Sequence, residues 1–358
     1  MSLIKVNNRG QQDNLGRRNM VINGAMEIAQ RGTDIDNISG DGAKNLDMFV
    51  TRDYGGNGNF DFNQSIDVPT DKTFHHSLKL TVSSASTNTG SYGYSLEHRI
   101  EGYRMRQLRL GRSSAQPITV SFYVKSSVAG TYNTGLRTTG GETSFVTEFT
   151  LSANTWTFVS YTAPAQTASL SSLNESTGLG LIVDIIGLGK QTSRTTSTLN
   201  AWHSGNYLFS NNQVAWMDNA NATVFVTGLQ VEAGSKATDF EHRSFGEELQ
   251  LCKRYYYVLG GDTAYQTVNT VVNFTGGTML GHYQHPVEMR APATITKTGN
   301  WSTLGGDTTV GQNVSADQNG PKTVQLGFSG GSGGTSGKAA TLRWSNDINA
   351  KLQFSAEL

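Results

Sequence analysis

The feature that most constrains this chain is a two-residue period that recurs in short runs. In "ITVSFYVK" (118–125), Ile118, Val120, Phe122 and Val124 alternate with less apolar residues. That period belongs to a strand with one face buried and one face wet. "SLKLTV" (77–82), "WTFVSYTA" (156–163), "LGLIVDIIGL" (179–188) and "ATVFVTGLQVE" (222–232) are further runs of this kind. Val224 and Val226 lie on one face of the last run and Phe225, Leu229 and Val231 on the other, which predicts a central strand covered on two sides. Loops rich in Gly, Ser, Thr and Asn separate the runs. With 41 glycines and 16% charged residues, the composition suits many short strands and turns. The predicted fold class is all-β, with a jelly-roll-like β-sandwich over residues 21–243.

The period changes once. In "SFGEELQLCKRYYYVL", Leu249, Cys252 and Tyr256 fall at helical spacing, with Leu259 three residues on. Ser244 and Glu247 have the spacing of a capping box. The pattern predicts a linking helix over 244–259. Neighbouring residues of a helix point about 100° apart, so Tyr255, Tyr256 and Tyr257 cannot form one stacking face. Cys252 is expected to be a small buried side chain rather than a nucleophile. Runs such as "TVNTVVNF", "KTVQLGF" and "ATLRWS" then predict a smaller C-terminal β-sandwich over 260–358.

Charge and cysteine usage exclude several functions. Lys plus Arg and Asp plus Glu are both 28, which argues against binding nucleic acid through bulk charge. One cysteine excludes an internal disulfide and a multi-thiolate zinc site. No apolar run approaches the roughly 18–20 residues of a spanning helix, so membrane insertion is not expected. The N-terminus lacks the apolar centre of a secretory signal, and the expectation is folding in a cytoplasm without export by its own signal. Residues 1–20 carry Lys5, Arg9, Arg17 and Arg18 against Asp13. This segment reads either as a flexible tail or as an arm that docks on another protein.

No catalytic constellation or cofactor motif emerges. "GSGGTSGKAA" fails the phosphate-loop register, because Ser332 stands where the first glycine is needed and Ala339 follows the lysine. His282 and His285 would face opposite sides of a strand, which argues against a shared metal. Arg99, Arg104, Arg106, Arg109 and Arg112 form the most basic run and read either as a solvated sheet edge or as a patch for an anionic polysaccharide or a partner surface. Asp184 interrupts an apolar strand and is the one acid that could be nominated for a polysaccharide depolymerase, yet no partner carboxylate suggests itself, and a lone buried Asp is more often a hydrogen-bonded core residue or a cation ligand. Trp156 reads as core. Trp202, Tyr207 and Trp216 lie in a long loop segment, where they either stack on sugar rings or cap the core.

Three segments carry a resemblance. "GRRNMVINGAMEIAQRGT" (16–33), "TGLQVEAGSKATDFEHRSFGEELQLCKRYYY" (227–257) and "PVEMRAPATIT" (286–296) resemble phage tail-fibre and virion structural proteins of marine bacteriophages, including cyanophages. The resemblance implies an N-terminal attachment arm, a carbohydrate-binding-module-like sandwich, a Lys-Arg-Tyr-Tyr helix and a small C-terminal sandwich. It further implies a non-enzymatic virion protein, a homotrimer, that contacts host surface glycan and other virion proteins. In "NLDMFVTRD", Leu46-Asp47-Met48-Phe49 stands where relatives show an Asp-Arg-aromatic run. The chain lacks heptads or shaft repeats, which keeps a capsid decoration or knob protein open as the alternative. The helix 244–259, with Leu249, Cys252 and Tyr256, is expected near the trimer interface.

Overall fold

The alternation in residues 118–125 is realised as a strand whose Ile118, Val120, Phe122 and Val124 are all buried in one core. The coordinates are a computed structural model that describes residues 18–44, 46–87, 92–189, 192–275, 277–304, 310 and 313–358. The chain divides into two units, Met1–Ser244 and Phe245–Leu358.

Strands of the first unit, in chain order, are β1 (Asp34–Ile38), β2 (Ala43–Lys44), β3 (Phe49–Asp53), β4 (Asn59–Ser65) and β5 (Ser77–Ser84). Next come β6 (Tyr94–Glu101), β7 (Ile118–Ser126), β8 (Gly130–Thr138), β9 (Thr143–Leu151) and β10 (Thr157–Ala163). The unit finishes with β11 (Leu179–Gly187), β12 (Thr195–Thr196), β13 (Trp202–Ser204), β14 (Phe209–Ser210) and β15 (Thr223–Ala233). A six-stranded sheet has the order β1-β4-β5-β15-β7-β10, and a seven-stranded sheet has the order β13-β9-β8-β11-β6-β3-β2. Their inner faces share one cluster of buried side chains, including Phe62, Leu80, Phe122, Val226, Tyr132, Leu136 and Val183. This is the expected all-β sandwich. The expected double covering of β15 is also present: its residues from Val224 to Glu232 are buried on both faces.

The start of the sandwich differs from the expected boundary at residue 21. Asn19 and Met20 are already buried, and the Met20 N–H donates to the Val231 carbonyl at 2.9 Å. Of the arm residues, Arg18 is exposed and reaches the Asp239 carbonyl at 3.4 Å. Lys5, Arg9 and Arg17 lie outside the described residues. The arginine run is also not an extended edge. Gly102–Met105 is a short helix followed by a tight turn; Arg104 Nε donates to the Met20 carbonyl at 3.0 Å and Arg112 pairs with Glu175.

The second unit opens with a helix, Phe245–Lys253, that stops six residues before its expected end. Tyr256–Gly260 is instead a strand, β16, paired with Lys351–Ser355. Three tyrosines followed by Val258 and Leu259 have strong strand propensity, and strand pairing overrides the helical spacing read from Cys252 to Tyr256. Leu249 is half-buried on the helix, Cys252 is fully buried, and Tyr256 is buried on the strand. Tyr257 stacks on Phe354, with ring centroids 4.5 Å apart and planes 9° apart. After β16 come β17 (Thr267–Thr275), β18 (Thr278–Gln284), β19 (Thr294–Thr298), β20 (Trp301–Leu304), β21 (Asn313–Asp317), β22 (Thr323–Ser329), β23 (Ala339–Trp344) and β24 (Lys351–Ser355). They form sheets ordered β16-β24-β19 and β20-β23-β17-β18-β22-β21, around a core that includes Trp301, Phe328, Trp344 and Phe354. His282 is exposed, while the buried His285 meets the Tyr257 hydroxyl at 2.6 Å through Nδ1, so the two histidines do separate.

Candidate functional site

Strands β7 and β10 place two aromatic side chains on the wet face of the six-stranded sheet. Tyr123 and Phe158 are directly paired, and their chain neighbours Phe122 and Val159 point into the core. Their ring centroids are 5.0 Å apart at an interplanar angle of 49°, and Phe158 is 51% exposed. Phe74, from the loop before β5, reaches to 5.7 Å from Tyr123. Phe240 and His242, from the segment after β15, pack against Phe74 at 5.1 Å and 5.4 Å. Gly228 makes this approach feasible. Its φ is +66°, and a Cβ there would come within 2.6 Å of the Phe74 ring.

These rings line a pocket of about 330 Å³ whose polar rim is Lys72, Thr73, Ser121, Thr238 and Asp239. His242 Nε2 and Thr73 Oγ1 are 2.6 Å apart. Partial burial lowers the His242 pKa below the usual imidazole value, which favours a neutral ring at neutral pH. Lys72 Nζ stands 5.9 Å from the Tyr123 centroid.

The aromatic surface continues along the same sheet. Trp156 lies 6.2 Å from Phe225, and Lys125 Nζ lies 4.4 Å from the Phe225 centroid and 5.3 Å from Trp156. Asp67 accepts from Lys125 and from Trp156 Nε1, the latter at 3.1 Å. Burial acts to raise the Asp67 carboxyl, but these donors hold it below its usual value. Trp156 is therefore half-exposed on the outer face, not core as its strand-leading position suggested. Exposed ring faces beside hydroxyl, carboxylate and ammonium groups offer a ligand both an apolar platform and hydrogen-bonding partners.

The segment that holds the sequence-selected aromatics covers the opposite face of the sandwich. Trp216 is fully buried and its Nε1 donates to the Thr223 carbonyl at 3.4 Å. It is a core side chain with no face for a sugar, which corrects its selection as a glycan-binding residue. Trp202 is half-buried against Phe145 at 5.8 Å, and its Nε1 donates to the Pro164 carbonyl at 2.6 Å. Tyr207 is half-exposed, 4.9 Å from His203. The structure does not bring these three rings together as one platform.

Asp184 sits under the same cover. It is 1% exposed, and Arg137 binds both its oxygens, with Nε at 2.7 Å and one terminal nitrogen at 2.8 Å. Arg137 also pairs with the buried Glu97 and donates to Asn206 Oδ1 at 3.1 Å. Burial pushes the Asp184 carboxyl up to about 6, against the pull of Arg137. This is a closed ionic cluster with no access for a glycosidic oxygen. Among the described residues no three His, Cys, Asp or Glu side chains gather as a metal site, and no helix is long and apolar enough to cross a membrane.

No family model matches this sequence, and no curated protein matches it. Among solved structures, a protein described as a putative sugar binding protein from Bacteroides thetaiotaomicron is 12% identical with a TM-score of 0.31, covering 60% of this chain and 100% of that one. A family 11 carbohydrate-binding module from Clostridium thermocellum, in complex with a β-1,3-1,4-mixed-linked tetrasaccharide, is 8% identical with a TM-score of 0.27, covering 58% of this chain and 99% of that one. An arabinose-bound α-L-arabinofuranosidase is 12% identical with a TM-score of 0.34, covering 62% of this chain and 27% of that one. This chain thus spans about a quarter of the length of that arabinofuranosidase.

Phe74, Tyr123, Phe158 and Phe240 were not singled out in the sequence. Two of them had a legible signal. Tyr123 in "ITVSFYVK" and Phe158 in "WTFVSYTA" occupy the phase of each strand that faces water, where a large ring needs a reason. Phe74 and Phe240 lie in loops, and only the fold shows that they converge.

Proposed function

We propose that the first unit is a non-catalytic glycan-binding module that uses the outer face of its six-stranded sheet. The observation that carries this reading is the paired Tyr123 and Phe158 on that face, with Phe158 half-exposed beside a pocket rimmed by Lys72, Thr73 and Asp239. A pyranose presents C–H groups on its faces and hydroxyls around its edge. The rings suit the first and the rim suits the second. The enclosure of Asp184 by Arg137 supports a binding role over hydrolysis.

The setting we propose is a phage particle. The protein would be a homotrimeric tail fibre whose basic arm attaches it to other virion proteins and whose glycan site meets the host surface. The three quoted segments support this reading. The absence of shaft repeats favours the second reading, a decoration or knob protein on the capsid.

A glycan array probed with the full chain tests the binding reading. Reproducible binding to a defined sugar class is expected, and a blank array across host-surface glycans would overturn it. Immunogold labelling of particles tests the setting, with gold on tails expected and gold on the capsid shell favouring decoration. Light scattering is expected to give three chains per particle, and a stable monomer at micromolar concentration would contradict the trimer.

A further inference from the structure

On the outer face of the seven-stranded sheet, one cross-strand row holds Glu148 on β9, Asn133 on β8, Gly187 on β11 and Ser95 on β6. Asn133 is paired with Glu148, and Gly187 with Ser95. The core-facing neighbours Tyr132, Phe149 and Leu96 fix the outward direction of the row. The segment from Leu208 to Val214 crosses above it, tied by the Val214 N–H to the Thr131 carbonyl at 2.8 Å.

Each amide in this layer has its nitrogen committed to an acceptor. Asn133 Nδ2 donates to the Leu208 carbonyl, and Gln213 Nε2 donates to the Gly189 carbonyl at 2.6 Å. Asn212 Nδ2 donates to Glu148 Oε2 at 3.3 Å. These bonds fix which way the amides point, so the oxygens are left facing inward. Asn133 Oδ1, Gln213 Oε1, Glu148 Oε1 and Ser95 Oγ are all buried, and no hydrogen-bond partner within the protein reaches any of them. Asn133 is fully buried and Gln213 is 5% exposed.

Gly187 is the gap in the row. A Cβ there would meet Gln213 Oε1 at 2.5 Å and Asn133 Oδ1 at 2.6 Å, so the two oxygens converge to within about 5 Å of each other. Two ligands of one calcium ion, each about 2.3–2.6 Å from it, have a separation of up to about 5 Å. A buried acceptor without a donor is destabilising, and this layer holds several together with a carboxylate oxygen. A ligand that satisfies acceptors of this kind and carries positive charge is a hard cation. We propose that Asn133, Gln213 and Glu148, with Ser95 at the edge, form a binding site for a cation of the calcium class. The ion would clamp the 208–214 segment onto the seven-stranded sheet.

Calorimetric titration of calcium into the chelator-treated full chain, followed by thermal unfolding with and without calcium, tests the proposal. One calcium per chain is expected, with a saturable rise in Tm. Glu148→Gln is expected to weaken binding by at least about tenfold, as expected for loss of the charged ligand. If Glu148→Gln does not fold, Asn212→Ala serves instead, because it removes only the tether of Glu148 Oε2 at an exposed residue. It is expected to weaken binding several-fold. No calcium binding by the wild type would overturn the proposal and leave these oxygens to water. Binding of unchanged affinity in the folded variant would also overturn it, by placing the ion elsewhere.

Discussion

Phe158 and Tyr123 face each other across two hydrogen-bonded strands, with ring centroids 5.0 Å apart, on the face that the core does not use. Each lies next to a residue that does serve the core, Val159 and Phe122. The sandwich thus spends two large apolar side chains on its wet surface. Phe74 extends the surface because Gly228 lets it lie close to the sheet. The site is therefore built from strand phase and one glycine, with loops adding the rim.

The Arg137–Asp184 pair should be a stability element. Removing one partner of a buried, hydrogen-bonded ion pair leaves the other charge uncompensated, at a cost of about 3–5 kcal/mol. Arg137→Met, which strands both Asp184 and Glu97, is expected to lower the urea midpoint of the first unit by a corresponding amount. Glycan binding by the folded fraction should be unchanged, since the pair lies on the opposite face of the sandwich.

His98 is buried on β6 beside Phe49, at a ring separation of 5.2 Å. Burial, with Arg104 and Arg243 nearby, lowers its pKa to about 3. The unfolded chain protonates this ring near pH 6.5. Between those values the unfolded state binds more protons, so stability is present above pH 6.5 and is lost as pH falls towards 3. The slope is up to about 1.4 kcal/mol per pH unit from this group. Urea unfolding at pH 7, 6 and 5 should show a shallower loss in His98→Phe than in the wild type.

Trp216 fills the sandwich core, so Trp216→Ala should cost about 3–5 kcal/mol through cavity formation. The measurement is a denaturation midpoint. Trp202→Ala should cost less, because that ring is only half-buried.

Cys252 is fully buried in the second unit. A thiol reagent should label native protein slowly and denatured protein at once. Rapid labelling of native protein would contradict the packing of the helix Phe245–Lys253.

Much of the architecture was legible because period-2 alternation leaves few alternatives. Strands β7, β10, β11 and β15 follow directly from the quoted runs. The helix was legible at its start, where Ser244 precedes Phe245, but not at its end. Cys252 and Tyr256 are four apart, which fits a helix, yet Tyr256 pairs with Ser355 across a sheet. That partner is about a hundred residues away and leaves no local trace. The site was less legible. Tryptophans drew attention by type, but Trp216 is buried because the segment carrying it folds into the sandwich. The phase of Tyr123 and Phe158 was the better signal. The convergence of Asn133, Gly187 and Gln213 depends on strand order and could not be read from spacing.

The most direct test of the glycan site is a calorimetric titration of the best array ligand into three proteins: wild type, Phe158→Ala and Tyr207→Ala. Phe158 lies on the proposed binding face and Tyr207 on the other. Losing one stacking ring costs on the order of 1–3 kcal/mol, about five- to 150-fold in affinity. The account predicts that loss for Phe158→Ala, with Tyr207→Ala binding as the wild type does. Wild-type affinity in Phe158→Ala, with loss in Tyr207→Ala, would contradict it and move the site to the opposite sheet.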